Sequence, residues 1–449
     1  MRLRILPIVL IAALLTGALL LADAAHASET VTLTAAGDAI QSDIINAFMR
    51  EHPGIRIVES DVYDSATLIQ DAMSRSDSPD IYFMYTLISS TYESLRDRGY
   101  FLTLDDPELQ DMASAIYPEL REAATYNGAL CALPFGIQIQ PTLAVDMESW
   151  TSLGFREDAL PSTWAEALRF AADHWPEISA EHEEIGLFSY NDARSFLRLI
   201  EDNYEAYRAQ HNYEVGYDVP EFYEILELFE HLRTMDAIPL EDSGDGKERF
   251  LFWNDYFPSA LDSSDNIRSL RLKFREDAEP CLQVGFFVMA VNPNTKHASE
   301  AIELMKYVFE SLDPLRKLEL CPMENKPIVN ENYEAQQDAY AERMSAYEAR
   351  LAAAVDAAER RAIEMERDDY VSQNLLSMDP KYIASPESIQ RYRKEVEGIL
   401  VPTYTTGLSM EEYGAINEKR EAFLLGQLSA GQYIRELERR FVFSAKEGK

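Results

Sequence analysis

The sequence predicts an α/β protein with a parallel sheet and room for a second core, and three observations predict it. Residues 30–83 alternate strand, helix, strand, helix, strand. A second stretch, 185–283, repeats the mixture. Beyond an apolar N-terminal segment, roughly 420 of the 449 residues remain, enough for two substantial cores.

The elements follow in order. Val31-Thr32-Leu33-Thr34-Ala35 reads as a strand, followed by Gly37-Asp38 and an apolar helix pattern that runs through Phe48. His52-Pro53-Gly54 breaks that helix, and Ile55-Arg56-Ile57-Val58 is the second strand. After another helix, Ser78-Pro79-Asp80 leads into Ile81-Tyr82-Phe83, the third. Alternation of this kind gives a parallel sheet whose ligand crevice lies beyond the strand C-termini. Tyr126-Asn127-Gly128 is a turn, and Thr142 to Asp146 is a further strand. Leu160-Pro161-Ser162-Thr163-Trp164 opens a helix with Ser162 or Thr163 as N-cap and Glu166 placed for a capping box. Gly186 to Tyr190 is a short strand, Phe222 to Leu232 has apolar residues at helical spacing, and Phe250-Leu251-Phe252-Trp253 is strand-like. Gly285 to Asn292 is another strand, Pro293 to His297 a turn, and Ala298 to Phe309 a helix.

One segment stands apart. From Glu334 to Asp369 there is no Gly or Pro, and Tyr340, Met344, Tyr347, Leu351, Val355, Ala358, Ala362 and Met365 recur at three- and four-residue steps. That is one apolar stripe on a single helix or on a helical hairpin, packed on itself or on a lobe, or serving as a docking element.

The first residues predict export. Arg2 and Arg4 precede the apolar run Ile5 to Leu21, and Ala25-His26-Ala27 fits a small-x-small cleavage site before Ser28. An uncleaved anchor is the other reading of this run. With no Cys near it, a lipid anchor is not expected. The formal net charge of −37, from 41 Lys plus Arg against 78 Asp plus Glu, argues against nucleic acid and anionic membrane surfaces as partners. A solvated exported surface accounts for it, with attraction of a cationic ligand as the alternative. Cys131, Cys281 and Cys321 leave open one disulfide with one free thiol, or burial as small apolar residues.

Signatures of catalysis are scarce. There is no GxSxG, HExxH, P-loop or GxGxxG pattern, and the seven His are scattered without metal-ligand spacing. No cofactor or metal is expected. Carboxylates are so abundant that no pair of them identifies a glycosidase. The better signal is aromatic residues near strand ends, mixed with amides and carboxylates. A sugar ring offers an apolar face for stacking and a rim of hydroxyls for hydrogen bonds. The candidates are Asp38, Tyr82 and Tyr85, then Phe135 and Gln138, then Tyr190, Asn191, Arg194, Trp253, Asn254 and Tyr256. Tyr82 and Phe83 alternate, so one of them belongs to the core. Arg194 has a surface carboxylate partner as its plain alternative, and Trp253 has the second core.

The series of segments resembles the family 1 extracellular solute-binding proteins of ABC transporters, whose best-known relatives bind maltose. The resemblance covers most of 30–330 and 390–443, through the opening strands, the Pro161-Ser162-Thr163-Trp164-Ala165-Glu166 motif, the 285–309 strand, turn and helix, and the closing helices around Leu425 to Phe441. It implies a two-lobe periplasmic-binding-protein-like fold with hinge strands near 134–138 and 284–290 and a helical insertion. The expected division is a signal peptide at 1–27, lobe 1 at 28–135 and 286–328, lobe 2 at 136–285 and 370–449, and the insertion at 334–369. A third link is expected between Leu320 and Val329, where Pro322 and Pro327 break helices. The resemblance also places a cleft aromatic near Trp253. It implies a monomer that binds a small solute, a carbohydrate first, between the lobes and presents it to the membrane subunits of an ABC-type permease. An exported polysaccharide-acting enzyme and an interaction protein using the 334–369 segment are the alternatives.

Overall fold

The structure is a computed structural model and describes residues 30–447 apart from 38, 40, 61–69, 71, 73–77, 88–90, 190–191, 241–248, 259–265, 376–380 and 404–409. The export segment, Asp38, Tyr190 and Asn191 lie outside the described residues.

The opening alternation is a parallel sheet. Strand Val31–Gly37 lies between Ile55–Glu59 and Ile81–Tyr85, parallel to both, with helix Ser42–Glu51 between the first two in sequence. All five residues of Ile81–Tyr85 are buried. Such an unbroken apolar run belongs to a strand covered on both faces. Gly37 is required where it stands. Its φ is +134°, and a Cβ there would lie 1.7 Å from the carbonyl oxygen of Phe83 on the neighbouring strand. Strand Leu282–Val291 joins this sheet antiparallel to 81–85, and also pairs with Leu133–Ile139 and, in parallel, with Leu400–Pro402. The sheet is therefore mixed. Asn127 and Gly128, both at positive φ, form the tight turn between Thr125–Tyr126 and Ala129–Leu130.

The second sheet runs in the order 267–269, 142–146, 249–256, 185–188. Helix Trp164–Glu181 begins with the expected capping box: the Thr163 hydroxyl accepts from the Glu166 N–H and the Glu166 carboxylate accepts from the Thr163 N–H. Trp164 is buried and stacks on Phe274 at 5.9 Å, a packing residue.

Two separate cores result. Leu33, Phe83, Leu133, Val288 and Leu304 belong to one. Trp150, Trp164, Phe196, Phe229 and Phe252 belong to the other. The chain passes between them at 140–141, at 281–282 and near 401. The three crossings are tied side by side, since Gln140 N–H donates to Gln283 O at 2.9 Å and Thr403 N–H donates to Val284 O at 3.1 Å. The third link is thus not at 320–329. Helix Pro386–Val396 packs Ile389, Tyr392 and Val396 into the first core, so the chain stays in the first lobe until about residue 400. Two helices, Met410–Leu424 and Ala430–Glu447, then close the second lobe.

The 334–369 segment is a hairpin of helices Tyr333–Ala353 and Ala357–Leu375. It is set between strands Ile328–Val329 and Tyr382–Ala384, which pair antiparallel at its base. It packs on itself: Tyr340 stacks on Tyr370 at 5.9 Å and Arg350 donates to Glu366 at 2.8 Å. Only part of the stripe is used, for Tyr347 is buried while Val355 is 94% and Met365 70% exposed.

All three cysteines are free thiols. Cys131 and Cys281 are buried, and burial pushes them up to about 11 and about 12, so both act as small apolar residues with inert thiols.

Candidate functional site

A cavity of about 290 Å³ opens beside the first crossing. Three elements line it. Helix Ala193–Gln210 supplies Ser195, Arg198, Leu199 and Asp202, the steps that put side chains on one helical face. The end of strand Arg249–Tyr256 and the residue beyond it supply Asn254, Asp255 and Phe257. The crossing segment supplies Gln138, Gln140 and Pro141.

The helix is fixed at both its start and its back. Asp192 caps it, accepting from the N–H groups of Arg194 at 3.0 Å and Ser195 at 3.2 Å. On the face away from the cavity, buried Glu201 accepts from Arg420 Nη2 at 2.5 Å and from the Tyr433 hydroxyl at 2.5 Å. The closing helices of the chain thereby hold the cavity wall in place. Phe196, Leu197, Ile200 and Tyr204 bury the rest of that face in the second core.

The strand end is held by Ser189. Its hydroxyl lies 2.6 Å from Asp255 Oδ1 and 3.0 Å from Asn254 Oδ1, and accepts from the Asn254 N–H at 3.2 Å. On the first-lobe side, the Tyr85 hydroxyl donates to Gln138 Oε1 at 2.8 Å while its ring stacks on Phe287 at 4.5 Å. Burial pushes the Tyr85 phenol up to about 12, so it stays a neutral donor. The pairing orients the Gln138 amide and leaves its NH₂ as the donor it can offer.

Charge in the cavity is mostly negative. Among the described lining residues the charged groups are Asp202, Asp255 and Arg198, and Arg198 Nε stands 3.5 Å from Asp202 Oδ2. That is longer than a charge-assisted hydrogen bond. Desolvation pushes Asp202 up to about 6, and the attraction of Arg198 offsets only part of it. Its side chain keeps 37% of its surface open to solvent. With Leu199, Pro141 and a Phe257 that is 41% exposed, the cavity combines hydrogen-bonding and apolar groups. Such a lining is chemically suited to a small polar molecule with apolar faces.

Gln138 and Asn254 are the candidates that line this cavity, and Tyr85 stands behind Gln138. Tyr82 and Phe135 are wholly buried in the first core. Arg194 is on the outside of its helix and pairs with Glu421, the surface carboxylate that was its plain alternative. Tyr256 is buried, and its hydroxyl bonds to Glu395 of the first lobe at 3.0 Å. Trp253 is not among the lining residues. It lies on the opposite face of the second sheet from Phe252, packed on Ala144, Tyr256 and Ile267, with its indole N–H buried and without a hydrogen-bond partner among the described residues. The aromatic ring at the cavity is Phe257, four residues further on. Ser195, Arg198, Asp202, Gln140, Asp255 and Phe257 were missed, although the polar steps 195, 198 and 202 were present as a signal once a helix is set to begin after Asp192.

Among the described residues, no group of three or more His, Cys, Asp and Glu is arranged to hold a metal ion. No described helix is long and apolar enough to cross a membrane.

No family model and no curated protein matches the chain. Solved structures do. The galacto-N-biose/lacto-N-biose I-binding protein of an ABC transporter from Bifidobacterium longum is 12% identical, with 94% of this chain and 98% of that one covered at a TM-score of 0.54. A cyclic α-maltosyl-1,6-maltose binding protein from Arthrobacter globiformis is 15% identical, with coverage of 93% and 99% and a TM-score of 0.53. A receptor of Streptomyces glaucescens, solved unliganded and with acarbose, is 15% identical, with coverage of 94% and 100% and a TM-score of 0.51. The chain therefore has the two-lobe α/β fold of these binding proteins, spanning nearly their whole length.

Proposed function

We propose that the protein is an exported solute-binding protein that captures a small carbohydrate between its lobes and delivers it to an ABC-type permease. The observation that carries this reading is the cavity at the first crossing. Its wall draws on the second lobe's helix 193–210 and strand end 254–257 and on the strand that leads out of the first lobe. Amide, hydroxyl and carboxylate groups there suit a rim of sugar hydroxyls, and Phe257 suits a sugar face. Three crossings bonded side by side make a hinge, about which the lobes close on the ligand. The structural neighbours whose names state a ligand bind saccharides, which supports the same class here. Gln138, Asn254, Ser195, Asp202, Asp255 and Phe257 form the binding set, with Tyr85 positioning Gln138. The protein acts as a monomer outside the cytoplasm and carries out no chemistry on its ligand.

A thermal-shift screen over mono- and oligosaccharides tests this. A true ligand at 100 times its dissociation constant adds about 2.7 kcal/mol to stability. A panel in which no saccharide raises the melting temperature, while another solute class does, would overturn the carbohydrate reading.

A further inference from the structure

Resting on that reading, we infer that the saccharide this cleft selects carries a protonated amine, which sits against Asp202 and Asp255. Among the described residues, the two carboxylates share the cavity lining with a single cation, Arg198. Arg198 pairs with Asp202 across 3.5 Å, too long for a charge-assisted hydrogen bond, and balances one carboxylate of the two. Among the described residues, the Asp255 carboxylate receives the neutral Ser189 hydroxyl, at 2.6 Å. The lining thus has one carboxylate in excess of its positive charge.

Closure of the lobes expels water from this space. A neutral sugar can answer the excess charge with hydroxyl donors alone, which compensate a desolvated carboxylate less fully than a cation does. The rise of Asp202 to about 6 shows that desolvation already weighs against its charge. An ammonium group on the ligand supplies the missing cation, forms charge-assisted hydrogen bonds, and leaves the ring hydroxyls to Gln138 and Asn254. Phe257, 41% exposed, favours the same ligand, since an aromatic face attracts a cation as well as a sugar face. Neutral polar linings accept neutral sugars without this imbalance, so the excess carboxylate is a selectivity element.

The test is isothermal titration at pH 7 with paired probes. Glucosamine- and galactosamine-containing disaccharides of several linkages are compared with their glucose, galactose and N-acetylated counterparts. The expected result is at least one amino disaccharide binding ten-fold or more tighter than its neutral partners. Asp202→Asn should compress that ratio to about three-fold or less, with circular dichroism verifying the fold. Asp255→Asn serves as the second variant should Asp202→Asn fail to fold. Equal affinity for amino and neutral members would overturn the amine assignment and leave the carbohydrate reading standing. Binding of neither series would overturn both. A preference that survives both substitutions would remove the carboxylates from selectivity and overturn the assignment.

Discussion

The two lobes bury charge differently. In the first lobe buried polar groups meet neutral partners: Thr86 accepts from Phe286 N–H at 3.1 Å, Asn292 donates to Pro79 O at 2.8 Å, and the Glu395 carboxylate accepts from the Tyr256 hydroxyl at 3.0 Å and the Ser269 N–H at 3.2 Å. The second lobe buries Glu201, Arg208 and Arg420. Arg208 reaches Glu205 at 2.8 Å, and Arg420 reaches Glu201 at 2.5 Å. Apolar burial is non-directional, whereas an ion pair out of water is satisfied in one arrangement only. The helix so fastened, 193–210, is the one that carries Ser195, Arg198 and Asp202 into the cavity. The difference teaches that the first lobe is held chiefly by its apolar core, and that the second also fixes the orientation of a cavity wall.

The largest effect should come from breaking that fastening. Arg420→Met leaves Glu201 buried without its cation and should lower stability by about 3–5 kcal/mol in urea unfolding. A loss under about 1 kcal/mol would mean that the second lobe does not depend on its buried pair.

The next contrast is between two aromatics four residues apart, Trp253 and Phe257. Phe257→Ala should weaken saccharide binding by about 2 kcal/mol, roughly thirty-fold, with stability nearly unchanged. Trp253→Ala, which removes a ring packed on Ala144, Tyr256 and Ile267, should instead lower stability by about 2 kcal/mol or more. Titration calorimetry and melts of both variants separate the roles. The reverse pattern would return the binding aromatic to Trp253.

A smaller effect concerns pH, with one group in each lobe. Burial pushes Glu319 of the first lobe up to about 7 and Asp202 of the second up to about 6. Both lie above the ordinary carboxylate range near 4. The native state holds these protons longer than the unfolded chain does. Their contribution is therefore greatest below about pH 4 and is lost as pH rises, through about 7 for Glu319 and about 6 for Asp202. Ligand-free wild type should lose stability between pH 5 and 7 in thermal melts, and Glu319→Gln should flatten that slope more than the half-open Asp202→Asn. Identical slopes in all three proteins would show that neither group is perturbed. The smallest effect belongs to the exposed pair of Arg194 and Glu421: Arg194→Ala should change stability by under about 1 kcal/mol and leave affinity alone. A large loss of affinity would put Arg194 back in the site.

Much of the fold was legible because the signals are local. The 30–83 alternation, the Thr163–Glu166 box and the helix at 298–310 depend on residues close in sequence. The hairpin break was legible too, in a form easily passed over. Asp356 accepts from Ala358 and Glu359 N–H groups at 2.9 and 2.8 Å, and Glu359 reaches back to the Val355 N–H at 3.0 Å. A helix can thus restart there without Gly or Pro. The third crossing was not legible, because Pro322 and Pro327 end a helix without saying which core receives the chain next. The choice between Trp253 and Phe257 was not legible either. Trp253 lies inside strand 249–256 and Phe257 just beyond its end, and the pairing of that strand with 142–146 shifts register between them, which alternation in sequence does not reveal. Asp202 escaped notice because a carboxylate among 78 acidic residues stands out only when a cavity forms around it.

The central claim is that a saccharide closes the two lobes about their three bonded crossings. Small-angle scattering on the full protein, with and without a saccharide that raises its melting temperature, tests it most directly. The account predicts a smaller radius of gyration at saturation, and no such change in Phe257→Ala at a concentration that saturates only wild type. An unchanged radius in wild type at saturation would contradict it.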